Sequence, residues 1–67
     1  MEVFSPRALK RTRARAALTL EVLSQKSGVS IQQINRYEKG HVSPREITIL
    51  ALADALEIDP DSLFVEE

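Results

Sequence analysis

The sequence predicts an all-α fold of five short helices, and three observations predict it. Helix-start signals recur along the chain, at Ser5-Pro6, Thr19, Ser30 with Gln33, Ser43 with Glu46, and Asp59-Pro60. Apolar residues fall at helical spacing, as at Ile49, Leu52, Ala53 and Leu56. No stretch alternates apolar and polar residues as a half-buried strand does. With 67 residues there is room for one domain, and 43% hydrophobic content is globular rather than disordered.

Taken in order, Ser5 caps a first helix with Pro6 at its first position, where a missing N–H costs nothing. Thr19 opens a second, with Glu21 placed to favour the helix dipole. Gly28 stops it, because glycine takes a left-handed backbone freely. Ser30 and Gln33 form a capping box for a third helix, which Gly40 ends. A second box, Ser43 with Glu46 and Pro44 between them, opens a fourth, and Asp59-Pro60 opens a last short turn. The helices are expected at roughly 6–15, 20–27, 31–39, 44–56 and 60–64. Leu9 and Ala16 are the candidate inward residues of the first, while Leu18 and Val29 plug the loops. The fourth is apolar nearly all round, so it wants cover on more than one side. Either Val3, Phe4 and the last turn supply that cover, or a second subunit does.

Composition excludes several function classes. There is no cysteine, hence no disulfide framework, thiolate nucleophile or cysteine-based zinc site, and one histidine alone makes no metal site. No nucleophile–base pair or phosphate loop is visible, so an enzyme is not expected, nor is a cofactor or small-molecule ligand. No apolar run approaches the ~18 residues of a membrane span. The N-terminus lacks the basic and apolar segments of a secretory signal. The chain starts with Met, reads as complete, and is expected in the cytoplasm.

Charge is sharply divided. All nine basic residues lie in 1–45 beside three acids, whereas 46–67 hold seven acids and no base. A net charge of −1 therefore conceals a basic front and an acidic rear. Ser27-Gly28-Val29-Ser30 joins two short helices through a glycine, the outline of a helix-turn-helix. The small Ser24 permits close helix approach, and Val29 and Ile34 pack beneath the turn. The following helix then projects Gln32, Gln33, Asn35, Arg36 and Lys39, with no acid between Ser30 and Tyr37. Amides pair with adenine, guanidinium with guanine, and ammonium with phosphate. A merely solvated face also uses such residues, but it ordinarily carries acids too.

The stretch Leu9 to Leu63 resembles the phage repressor and Cro-type helix-turn-helix family. The matching residues are Leu9, Arg13, Leu18-Thr19, then Gly28-Val29-Ser30, Ile34, Arg36, Glu38 and Gly40, then Pro44 and Leu52-Ala53-x-Ala55-Leu56. Three positions depart: Ala17 stands where the family usually has glycine, Leu20 where it has glutamine, and Ser24 where it has alanine. The resemblance implies a lambda-repressor-like five-helix bundle whose third helix lies in the major groove of double-stranded DNA. Base readout falls to Gln32, Gln33 and Arg36, with Asn35 reading a base or a phosphate. Ile31 either touches a thymine methyl or covers the end of the core. Thr19, Ser30, Lys39, His41 and Arg45 are the phosphate-side candidates. Arg13 and Glu38 match positions that pair inside the fold, which makes them a structural ion pair. The implied function is a sequence-specific transcriptional regulator, most simply a repressor bound as a homodimer to an inverted repeat. Ile47, Leu50, Leu63 and Phe64 form the candidate dimer surface. The alternative is a protein-interaction or antitoxin-type adaptor on the same fold, which the missing glutamine and the acidic rear support.

Overall fold

The computed structural model describes residues 1–66. Four α-helices make up the body: α1 (Pro6–Arg15), α2 (Leu20–Ser27), α3 (Ile31–Glu38) and α4 (Glu46–Leu56). The expected fifth helix is a single 3₁₀ turn, Pro60–Leu63, capped by the Asp59 carboxylate, which accepts from the Asp61 N–H at 2.9 Å. Two short strands, β1 (Glu2–Phe4) and β2 (Phe64–Glu66), pair antiparallel in the register Val3 to Val65 and Phe4 to Phe64. The Ser5 N–H extends this link by donating to the Leu63 carbonyl at 2.8 Å. The fold is thus four helices with a two-stranded clasp, not five helices. Three residues are too few to display an alternating pattern, and the two strands come from opposite ends of the chain.

Caps locate the first three helices. The side chains of Ser5, Thr19 and Ser30 accept from the N–H groups of Ala8, Val22 and Gln33 at 3.1, 3.1 and 3.2 Å. Each satisfies an N–H the helix itself leaves unpaired, contributing about 1 kcal/mol. Gly28 closes α2 at φ 76°, its N–H returning to the Ser24 carbonyl at 2.9 Å. Helix α4 departs from expectation. It begins after Arg45, which makes no side-chain cap, so the Ser43–Glu46 box does not form. Pro44 instead lies ahead of the helix and is buried rather than seated at the first helical position.

Leu9, Leu23, Ile34, Leu52 and Leu63 are fully buried, one contribution from each helix and one from the 3₁₀ turn. Each such side chain stabilises the fold by about 1.5–3 kcal/mol relative to exposure. Phe4, Leu18, Leu20, Val29, Ile58 and Phe64 pack around them. Two expectations fall here. Leu63 lies wholly inside the core, so it cannot belong to a dimer surface: the 3₁₀ turn points it back at the helices. Ala16 is exposed, because α1 ends at Arg15 and the chain is already turning away. The apolar excess of α4 is divided as well. Ile49, Leu52, Ala53, Ala55 and Leu56 are buried, while Ile47 and Leu50 stay 75% and 49% exposed. Among the described residues no helix is long and apolar enough to cross a membrane.

Candidate nucleic-acid interface

Helix α3 has two opposed faces. Ile34 and Tyr37 turn inward and are buried, anchoring the helix against α1 and α2. Gln32, Gln33 and Arg36 turn outward and are exposed, as is Lys39 at the C-cap. Ile31 is 41% exposed at the start of the helix, so it is available to a ligand rather than sealed in the core. Asn35 is half-buried on the flank and presents less of its amide than the glutamines do. Among the described residues, the side chains of Gln32, Gln33 and Arg36 engage in no intramolecular hydrogen bond or ion pair. Their polar groups remain open to an incoming partner.

The inner flank of α3 is fixed by charge. Arg13 donates from Nε to Glu38 Oε2 at 2.7 Å and from Nη2 to Oε1 at 3.1 Å. Its Nη1 donates to the Leu18 carbonyl at 2.9 Å. One guanidinium thereby ties α1, the α1–α2 loop and the end of α3 together. Parallel two-bond geometry is the strong form of a carboxylate–guanidinium pair. The side chains are only 16% and 6% exposed. The hydrogen bond to Glu38 raises the Arg13 pKa, burial lowers it, and Coulomb attraction to the carboxylate raises it further, leaving it above its ordinary value. Arg13 therefore spends its donors on the fold. The loop it grips contains Ala17, a non-glycine residue at φ 58°.

The phosphate-side candidates are all exposed. Thr19 and Ser30 are exposed, and their hydroxyls already cap α2 and α3. Lys39, His41 and Arg45 are exposed around the α3–α4 connection. That connection leaves α3 through Gly40 at φ 76°, where a Cβ would sit 3.6 Å from Pro6 Cγ. Arg36 and Arg45 share one shallow groove with Gln33, Ser43 and Thr48, between the outward face of α3 and the start of α4. The sequence reading missed Ser43 and Thr48 as groove residues. In sequence Ser43 reads as a cap, and no period links Thr48 on α4 to α3. Leu20, in the position of the usual glutamine, packs against the core and offers no hydrogen bond outward.

A helix-turn-helix family model matches residues 9–63. Among solved structures, the restriction-modification controller protein C.AhdI from Aeromonas hydrophila is 32% identical, covering 88% of this chain and 89% of that one, with a TM-score of 0.85. An HTH_3 family transcriptional regulator from Vibrio cholerae is 29% identical with a TM-score of 0.83, over 87% of this chain but 33% of that one. The P22 c2 repressor protein, in complex with a synthetic operator, is 28% identical with a TM-score of 0.80, over 87% of this chain and 88% of that one. No match was found among curated proteins. The chain belongs to the phage repressor/Cro-type helix-turn-helix family of DNA-binding transcriptional regulators.

Proposed function

We propose that this protein is a sequence-specific repressor that inserts α3 into the major groove of an operator. The observation that carries the reading is the outward face of α3, where Gln32, Gln33 and Arg36 are exposed and unengaged while the one acid of the helix, Glu38, is held by Arg13. Gln32 and Arg36 read base edges, Gln33 and Asn35 assist, and Ile31 meets a thymine methyl. Lys39, His41 and Arg45 hold the phosphates beside the groove, with Thr19 and Ser30 at the helix starts. Repression by occupancy of a promoter needs no further part of the chain.

A single module of this size buries only about 600–1,000 Å² on DNA. Strong site preference therefore calls for two copies on a two-fold-symmetric site, with half-sites about one helical turn apart. Ile47 and Leu50, exposed on α4, and the half-buried Phe64 are the surface for that homodimer. The experiment is a selection of bound sequences from random duplexes. The expected product is an inverted repeat bound about 10³-fold or more tightly than random DNA at physiological salt. Recovery of unenriched sequences, together with co-purification of a stoichiometric protein partner, would replace this reading with the adaptor one.

A further inference from the structure

The outer face of α1 carries a charge pattern that the operator reading does not use. Arg7, Lys10, Arg11 and Arg15 are all exposed. Among the described residues the ion pairs are Met1–Glu66 and Arg13–Glu38, so these four cations have no partner. Arg7, Arg11 and Arg15 are four residues apart and stack on one side of the helix, a like-charge arrangement that destabilises it. Arg7 also stands in the first turn, where the helix dipole disfavours a cation, and that turn holds no acid.

This face of α1 is turned away from α3. Leu9 and Arg13, on the opposite side of α1 from Arg7 and Arg11, are the residues that face the core and α3. Arg7 and Arg11 therefore lie on the side of α1 opposite its contact with α3. The complementary charge is on the same chain. Residues 46–67 hold seven acids and no base. Of these, Glu57 and Asp61 are exposed just beyond α4 and make no ion pair among the described residues. Basic and acidic faces therefore coexist on one molecule without neutralising each other, at a net charge of −1. A net charge this close to zero gives little long-range repulsion between copies.

We infer that the cationic face of α1 is a docking surface for a second copy of this chain, which presents its acidic Glu57–Asp61 end. Arg7 and Arg11 flank a shallow groove floored by Ala8 and Val65, which gives the carboxylates an apolar bed beside the two guanidinium groups. The contact joins unlike surfaces, so it is head-to-tail and adds to, rather than repeats, a two-fold interface through α4. Exposed ion pairs are individually weak, so the association is modest and salt-labile. It does not depend on DNA, and its failure would leave the operator reading untouched.

The test is sedimentation velocity on the full chain between about 0.01 M and about 1 M salt, over which the screening length falls from about 30 Å to about 3 Å. Low salt should yield species larger than a dimer, weakening by about tenfold or more at high salt. R7E/R11E and E57K/D61K should each abolish the larger species while circular dichroism stays native. Asp59 is left intact because it caps the 3₁₀ turn. Mixing the two variants in equal amounts should restore association, since each then supplies the charge the other lacks. A salt-independent size, or no recovery in the mixture, would overturn the inference. So would an R7E/R11E variant that assembles normally but binds DNA more weakly, which would make duplex the occupant of this face.

Discussion

Arg13 and Arg36 are the same residue type on two sides of one helix. Arg13 approaches α3 from inside, with all three guanidinium nitrogens donating to Glu38 or the Leu18 carbonyl. Arg36 stands on the outside of α3 with no intramolecular partner among the described residues, at the rim of a groove shared with Arg45. A guanidinium partly withdrawn from water must replace its lost hydration with protein partners, because an unpaired donor there is costly. An exposed one is already solvated, so leaving it unpaired costs little and keeps its planar fork available for a guanine or a phosphate. A basic residue's role follows from what it has already spent its donors on, not from its charge.

Substitutions on the inner side should act on stability. Glu38→Ala removes two charge-assisted hydrogen bonds from the part-buried Arg13 guanidinium and should cost about 1.5–3 kcal/mol. At about 4–8 °C per kcal/mol for a domain of this size, thermal melting should reveal it without ambiguity. A variant that melted within a degree or two of the parent would show that the pair holds nothing together. On the outer side the readout moves from melting to binding. Arg36→Glu places a carboxylate against the groove and should cost about 2–3 kcal/mol of operator affinity, with the melting temperature unchanged. Titration of the variant against a selected duplex checks this, and loss of folding would break the comparison.

Smaller effects are expected at Ala17 and Lys39. Ala17 holds a left-handed backbone that costs an ordinary residue roughly 1–2 kcal/mol, in the loop that Arg13 grips. Ala17→Gly should relieve that strain, less the entropy glycine loses on folding. A net gain of about 1 kcal/mol in denaturant unfolding, with DNA affinity unaltered, is the expected result. Lys39→Ala should have the mildest consequence. Binding should weaken to a similar degree on all sequences, and the slope of affinity against salt should fall by about one unit. A change in base preference instead would move Lys39 from the phosphate side to the reading face.

The local parts of the fold were legible in the sequence. Ser5, Thr19 and Ser30 announce helices because a cap acts within three residues of itself, and Gly28 announces a turn for the same reason. The start of α4 was misread because Ser43, Pro44 and Glu46 form a plausible box whose proline the core claims for packing. The strands escaped notice because Val3 meets Val65 only when the chain ends come together, a pairing no local pattern reports. Leu63 was placed outside for a similar reason. A leucine in a short terminal turn is apolar in sequence, and only the closed fold says which way it points. The outward face of α3 was visible as an acid-free run of amides and bases. Its continuation onto Ser43 and Thr48 depends on how α4 docks, which is tertiary information.

On the proposed reading, the outer face of α3 selects the sequence bound. That selection is tested most directly by titrating the parent protein and Arg36→Ala against a selected duplex and a shuffled duplex of equal composition, at one salt concentration. The parent should prefer the selected duplex strongly. The variant should lose about 1–3 kcal/mol of that preference while binding the shuffled duplex nearly as well and melting as the parent does. An Arg36→Ala protein that separates the two duplexes as well as the parent does would show that this face does not select sequence.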